Sequence, residues 1–144
     1  MIGWVLNFEA AFMVPACVTG LIYREPETSA LAAVALFCLA VGLLITKKKP
    51  RSMSLYAKEG FVTVALCWVV LSALGALPFV ISRVIPSYVD ALFEVVSGFT
   101  TTGSSILPEV EHMPHCLLFW RSFTHWIGGM GVLVFVMAVL PLAG

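Results

Sequence analysis

The stretch PSYVDALFEVVSGFTTTGSS, residues 86–105, begins like a helix, stops too soon to cross a bilayer, and ends in hydroxyls and glycine. Ser87 followed by Asp90 has the form of a capping box, in which side chains satisfy free N–H groups at a helix start. Asp90 also suits the positive end of the helix dipole. Ala91, Leu92, Val95 and Val96 recur at helical spacing, and Gly98 supplies a stop. The spacing predicts a helix over residues 87–98. About 11 helical residues rise only about 16 Å, roughly half a membrane thickness. Thr100-Thr101-Thr102-Gly103-Ser104-Ser105 follows, polar but without a charge.

The surroundings of this stretch are strongly apolar. Of 144 residues, 60% are hydrophobic and 11% charged, and the mean hydropathy is +1.02. A water-soluble domain carries about 25% charged residues, so this composition excludes one and predicts an integral membrane protein. Net charge is zero, and no basic, aromatic-rich face is present to bind nucleic acid. Cys17, Cys38, Cys67 and Cys116 lack CxxC or metal-ligand spacing and read as small hydrophobes. Residues 1–3 carry no Lys or Arg, so the first apolar run is expected to be a retained span and not a cleaved leader.

A helical span needs about 20 predominantly apolar residues, and residues 4–23, 30–46, 61–81 and 116–140 meet or approach that. Residues 47–60, KKKPRSMSLYAKEG, hold Lys47, Lys48, Lys49, Arg51 and Lys58, five of the eight basic residues. Short basic loops stay cytoplasmic. Alternation then puts the N-terminus inside, and REPETS (residues 24–29) and the end of the third span outside. The outer segments are acidic, which suits either cation attraction or an ordinary solvated surface. The expected fold is all-α and membrane-integral. Residues 1–46 form a transmembrane helix pair, 47–59 a basic cytoplasmic linker, and 60–144 one helix–re-entrant pore loop–helix repeat, with its filter at 100–105.

Irregular backbone at membrane depth survives only where it is buried in protein or lines a watery cavity. A half-helix ending there aims its partially negative C-terminus inward, which favours a cation. Small residues let backbone carbonyls approach an axis and replace a cation's hydration shell, and Gly103 permits angles that a Cβ would forbid. The candidate site is therefore the backbone of Thr100, Thr101, Thr102 and Gly103, with Ser104, Glu94 and Arg121 as supporting side chains.

Arg121 and His125 share a helix face. A charge at the bilayer centre costs about 2.5–3.5 kcal/mol on insertion scales, so Arg121 is expected either to snorkel as an interfacial anchor, or to tune ion entry or hold the loop through Glu94, Glu109 or Glu111. Gly128, Gly129 and Gly131 are expected to permit close helix approach, and Glu9 to sit at the interface near the cytoplasmic end of the first span, with a coupling residue as the alternative reading. His112, Met113 and His115 lack a third ligand at metal spacing. Ser97 and Ser104 have no G-x-S-x-G elbow, so the chain is not expected to be an enzyme.

Residues 91–105, ALFEVVSGFTTTGSS, followed by residues 119–141, FWRSFTHWIGGMGVLVFVMAVLP, resemble the Trk/Ktr/HKT superfamily of potassium transporters, specifically its TrkH-type membrane subunits. The resemblance covers residues 60–144, and the first two spans suit the extra N-terminal helix pair of such members. It implies four helix–loop–helix repeats around one pore, with potassium at the carbonyls of Thr101 and Thr102, Gly103 as the key filter glycine, and no cofactor. Like that family, the chain has no TVGYG. The implied partners are three further repeats, a second copy in a homodimer, a cytosolic nucleotide-binding regulatory subunit and the lipid bilayer. The implied location is the plasma (inner) membrane, multi-pass, with the N-terminus cytoplasmic. One repeat makes about a quarter of a filter ring. Two functions therefore stand side by side: part of a potassium uptake transporter, or a non-conducting truncated subunit whose half-helix serves assembly.

Overall fold

A computed structural model describes residues 2–47 and 57–143; most of the basic linker expected over 47–59 lies outside the described residues. Six helices follow in order: α1 (Ile2–Tyr23), α2 (Thr28–Lys47), α3 (Ala57–Gly75), α4 (Leu77–Ile81), α5 (Tyr88–Phe99) and α6 (His115–Ala143). Segments Gly3–Tyr23, Thr28–Lys47 and Gly60–Ile81 are long and apolar enough to cross a membrane.

Helices α1 and α2 form a tight antiparallel hairpin. Gly42 of α2 lies against Asn7 and the Gly3 carbonyl, where a Cβ would have no room. The turn closes with Arg24 in the left-handed region (φ 54°). The Glu25 N–H donates to the Gly20 carbonyl (3.0 Å) and the Arg24 N–H to that of Leu21 (3.3 Å), which is a Schellman closure. Met13, Ala16, Leu31, Val34 and Cys38 fill the seam between the two helices. They run into one core with Phe79, Ala91, Val95, Phe99, Cys116, Leu117 and Trp120.

The third apolar run, expected as one span over 61–81, is two helices broken at Ala76. Pro78 has no N–H to give to the preceding turn. The Phe79 N–H bonds the Ala76 carbonyl (3.2 Å) in a tightened turn. Carbonyls freed near the break are taken up from elsewhere: Trp120 Nε1 donates to Gly75 O (3.0 Å) and Tyr88 Oη to Ala73 O (3.0 Å). The break thus fixes where α5 and α6 dock.

Glu9 departs from its expected interfacial position. It is 2% exposed, on the inner face of α1, where the absent side chain of Gly75 leaves space for its carboxyl.

Glu25 ties the outer loop of the hairpin to α6. Its carboxylate accepts from the backbone N–H groups of His115 (2.7 Å) and Cys116 (2.9 Å), and Oε1 lies 2.8 Å from His115 Nδ1. The Tyr23 and His115 rings stack at 4.0 Å. Partial burial works against the charge on Glu25. The N–H groups and the His115 ring outweigh it and draw the pKa from the ordinary 4.5 down to about 2. A depressed carboxyl pKa stabilises fully above the unfolded value and is lost as pH falls through the folded one. The Glu25 contribution is therefore complete at neutral pH and disappears between about pH 4.5 and about pH 2. Glu25→Gln is expected to cost about 1–2 kcal/mol at neutral pH. Thermal melts of the complete protein in detergent should show the wild type approaching the variant across that acid window; parallel curves would contradict it.

Candidate functional site

The site is the end of α5 and the loop that leaves it. Ser87 caps α5, its hydroxyl accepting from the Asp90 N–H (3.4 Å), with Asp90 in the first turn. Twelve residues give α5 a length of about 18 Å. The helix runs through Gly98, expected as its stop, to Phe99, with Thr100 as C-cap. Gly98 is instead a contact point, since a Cβ there would collide with Thr124 of α6.

The stop is made by threonine. Thr101 takes φ 57°; its N–H donates to the Gly98 carbonyl (2.9 Å), and the Thr102 N–H to that of Ser97 (2.9 Å). These are the two bonds of a Schellman closure, here with a β-branched residue at a position that usually holds glycine. The left-handed region costs an L-residue roughly 1–2 kcal/mol. Two residues on, Gly103 has φ 74°. The chain therefore reverses hand twice within four residues, so the loop is a defined non-helical path.

Hydroxyls then sort the carbonyls. Thr101 Oγ1 donates to Thr100 O (2.7 Å) and Ser97 Oγ to Ser104 O (2.6 Å). Thr100 Oγ1 donates to Val96 O (2.8 Å) and lies 2.8 Å from Thr102 Oγ1. Among the described residues, no hydrogen bond reaches the carbonyl oxygens of Thr101, Thr102 or Gly103. Residues 100–106 are all exposed.

The loop is anchored from behind by a charge pair. Glu94, 1% exposed, accepts from Ser105 Oγ (2.6 Å) and the Ile106 N–H (2.7 Å) through Oε1, and from Arg121 Nε (2.9 Å) through Oε2. Of the three acids proposed for Arg121, the structure selects Glu94. Glu109 lies 3.2 Å from His112, both well exposed. Ser104 enters through its carbonyl; the serine hydroxyl that binds Glu94 belongs to Ser105, placed in the expected filter at 100–105 but not expected as a supporting side chain. Ser97 was likewise missed as a carbonyl clamp, although both lie in a hydroxyl-rich run where such bonds are common.

Helix α6 supports the other side. A Cβ on Gly128 would run into the backbone of Phe99, and one on Gly131 into the Trp68 ring, whereas Gly129 meets only the Thr101 methyl at 3.8 Å. The Arg121 carbonyl accepts from Thr124 Oγ1 (2.6 Å) and lies 2.9 Å from His125 Nδ1. No group of three His, Cys, Asp or Glu side chains is placed to hold a metal among the described residues.

Residues 27–144, which include the whole site, match the family described as TrkH, cation transport protein. The chain belongs to the TrkH family. It is 38% identical to the Trk system potassium uptake protein TrkH of Escherichia coli (strain K12), over 97% of this chain and 29% of that protein. It is 36% identical to the Trk system potassium uptake protein TrkG of the same strain, over 100% of this chain and 30% of that protein. The crystal structure of the potassium transporter TrkH from Vibrio parahaemolyticus superposes with a TM-score of 0.88 at 32% identity, over 97% of this chain and 30% of the other. The TrkH fold is thus present here in part, for the chain spans about 30% of the length of these relatives.

Proposed function

We propose that this chain supplies the N-terminal helix pair and one pore repeat of a protein that takes up potassium across the plasma membrane. Residues 100–105 form one wall of its filter, and the carbonyls of Thr101, Thr102 and Gly103 replace water around the ion. Thr100 serves more as the cap that starts the turn, since its own carbonyl is occupied by Thr101 Oγ1. The observation that carries the proposal is the set of three successive carbonyls without hydrogen bonds among the described residues, in a loop fixed by two left-handed residues at the negative end of a half-helix.

Transport needs no bond to be made or broken. The ion exchanges water oxygens for carbonyl oxygens, and the site's work is positional. Glu94 and Arg121 act on the ion only through the loop they hold. The relatives named for potassium uptake support potassium as the ion. The remaining wall of the filter is assigned to three further repeats, and a homodimer with a cytosolic nucleotide-binding subunit completes the assembly implied by the family resemblance. The basic linker at residues 47–59 keeps that side, and the N-terminus, cytoplasmic.

Gly103 provides the test. A Cβ there meets nothing within 4 Å, but φ 74° strains any L side chain, by roughly 1–2 kcal/mol. Gly103→Ala in the complete protein is expected to preserve membrane expression while lowering rubidium uptake and its discrimination against sodium. Unaltered uptake and selectivity would defeat the filter assignment; loss of expression alone would favour the assembly role.

A further inference from the structure

Glu9 belongs to none of the machinery above, yet it is the most completely isolated ionisable group described. It is 2% exposed, and neither carboxylate oxygen has a hydrogen-bond partner among the described residues. It sits at the wall of a cavity of about 620 Å³ whose other lining includes Phe8, Phe12, Leu71, Phe99, Trp126 and Met130. Among the described residues, no basic group is placed against it. On α2 the titratable neighbour is the buried Cys38 thiol. On α3 it meets Gly75 and the cavity-lining Leu71. On α5 the carboxylate of Glu94 is turned to Ser105 and Ile106. On α6 Arg121 Nε is committed to Glu94, and the Trp120 indole N–H to the Gly75 carbonyl.

An isolated carboxylate in an apolar interior neutralises in preference to remaining charged, and inside a membrane protein an ionisable group marks a functional position. We propose that Glu9 is a proton-binding site, held as a neutral carboxylic acid at the seam between the N-terminal hairpin and the pore repeat. Its place gives the proton a structural consequence. A Cβ built on Gly75 would lie 3.4 Å from Glu9 Oε1, 3.2 Å from Val95 and 3.5 Å from Phe99. Glu9 therefore abuts the backbone on which the filter half-helix is seated. Charging it would draw water or a counter-ion into that seat and loosen it, so occupancy by the proton and seating of the half-helix are linked.

The competing occupant is a cationic side chain from a part of the complete protein beyond this chain. Infrared spectroscopy of the complete protein in detergent at neutral pH, unlabelled and with ¹³C-glutamate, separates the two. The wild-type minus Glu9→Gln difference is expected to contain one protonated-carboxyl band that moves on labelling, with no carboxylate bands. Carboxylate bands in its place would overturn the proposal and assign Glu9 to an ion pair. Glu9→Gln is expected to fold with an unchanged melting temperature, because it keeps the shape and neutrality of the acid. Failure of that variant to fold would overturn the proposal as well.

Discussion

Arg121→Ala is expected to lose about 3–5 kcal/mol of stability, the usual cost of leaving one member of a buried ion pair without its partner. The partner left behind is Glu94, 1% exposed, while Arg121 itself is 16% exposed. By contrast, the Glu109–His112 pair is 72% and 85% exposed, and its removal is expected to change stability by less than about 1 kcal/mol. Losing Arg121 also reaches the loop proposed as the filter, because the same carboxylate holds Ser105 Oγ and the Ile106 N–H. Rubidium uptake by the complete protein should therefore fall together with folded yield. Arg121→Met combined with Glu94→Gln should recover part of the stability, since the amide oxygen still accepts from Ser105 and Ile106 while no charge is left unpaired. Unchanged uptake and expression in Arg121→Ala would show that Arg121 only anchors α6 at the interface.

The pair matters because the loop it holds is otherwise short of support. Closures of the same type occur at Arg24 and at Thr101. At Arg24 the turn leads into α2 and its cost is offset by hairpin packing. At Thr101 the following residues are exposed, and the loop returns to the body through Ser97, Ser105 and Ile106. The strained turn and its anchors are thus one device: the turn aims the carbonyls, and Glu94 keeps the returning strand from relaxing the turn.

Local signals made much of this legible. A cap, helical spacing and a hydroxyl run gave the half-helix and the loop, because each depends on neighbours within a turn or two. What escaped depends on distant partners or on a residue type with two uses. Glycine serves positive φ or close approach, and at Gly98 the sequence suggests the first while the structure uses the second. The third run reads as one span over 61–81, but the structure breaks it at Ala76 with help from Trp120, 45 residues from the Gly75 carbonyl it binds. Glu9 looked interfacial because its partner surface, at Gly75, lies on another helix. The run of hydroxyls and glycine at residues 100–105 is plain in the sequence. Which carbonyls stay free was not, because that follows from where the hydroxyls of Ser97 and Thr101 point.

The adjacent glycines of α6 give the sharpest contrast in expected effect. At Gly128 a Cβ would lie 2.7 Å from the carbonyl carbon of Phe99 and 2.9 Å from its Cα, closer still to its oxygen. These are backbone atoms at the last turn of α5 and cannot swing aside as a side chain end could. Overpacking of this kind costs about 1–3 kcal/mol, and here α6 or the half-helix must shift to relieve it, moving Thr101 with it. At Gly129 the nearest atom is the Thr101 methyl at 3.8 Å, an ordinary contact, and alanine there gains roughly 1 kcal/mol of helix propensity. Gly128→Ala is therefore expected to lower the melting temperature and to impair rubidium uptake or its sodium discrimination in the complete protein. Gly129→Ala is expected to match or exceed wild-type stability and to keep uptake. The same atom is added one residue apart in the same helix, so propensity and membrane insertion are held nearly constant between the two variants. Equal behaviour would mean that the seat of the half-helix on Gly128 does not govern the filter.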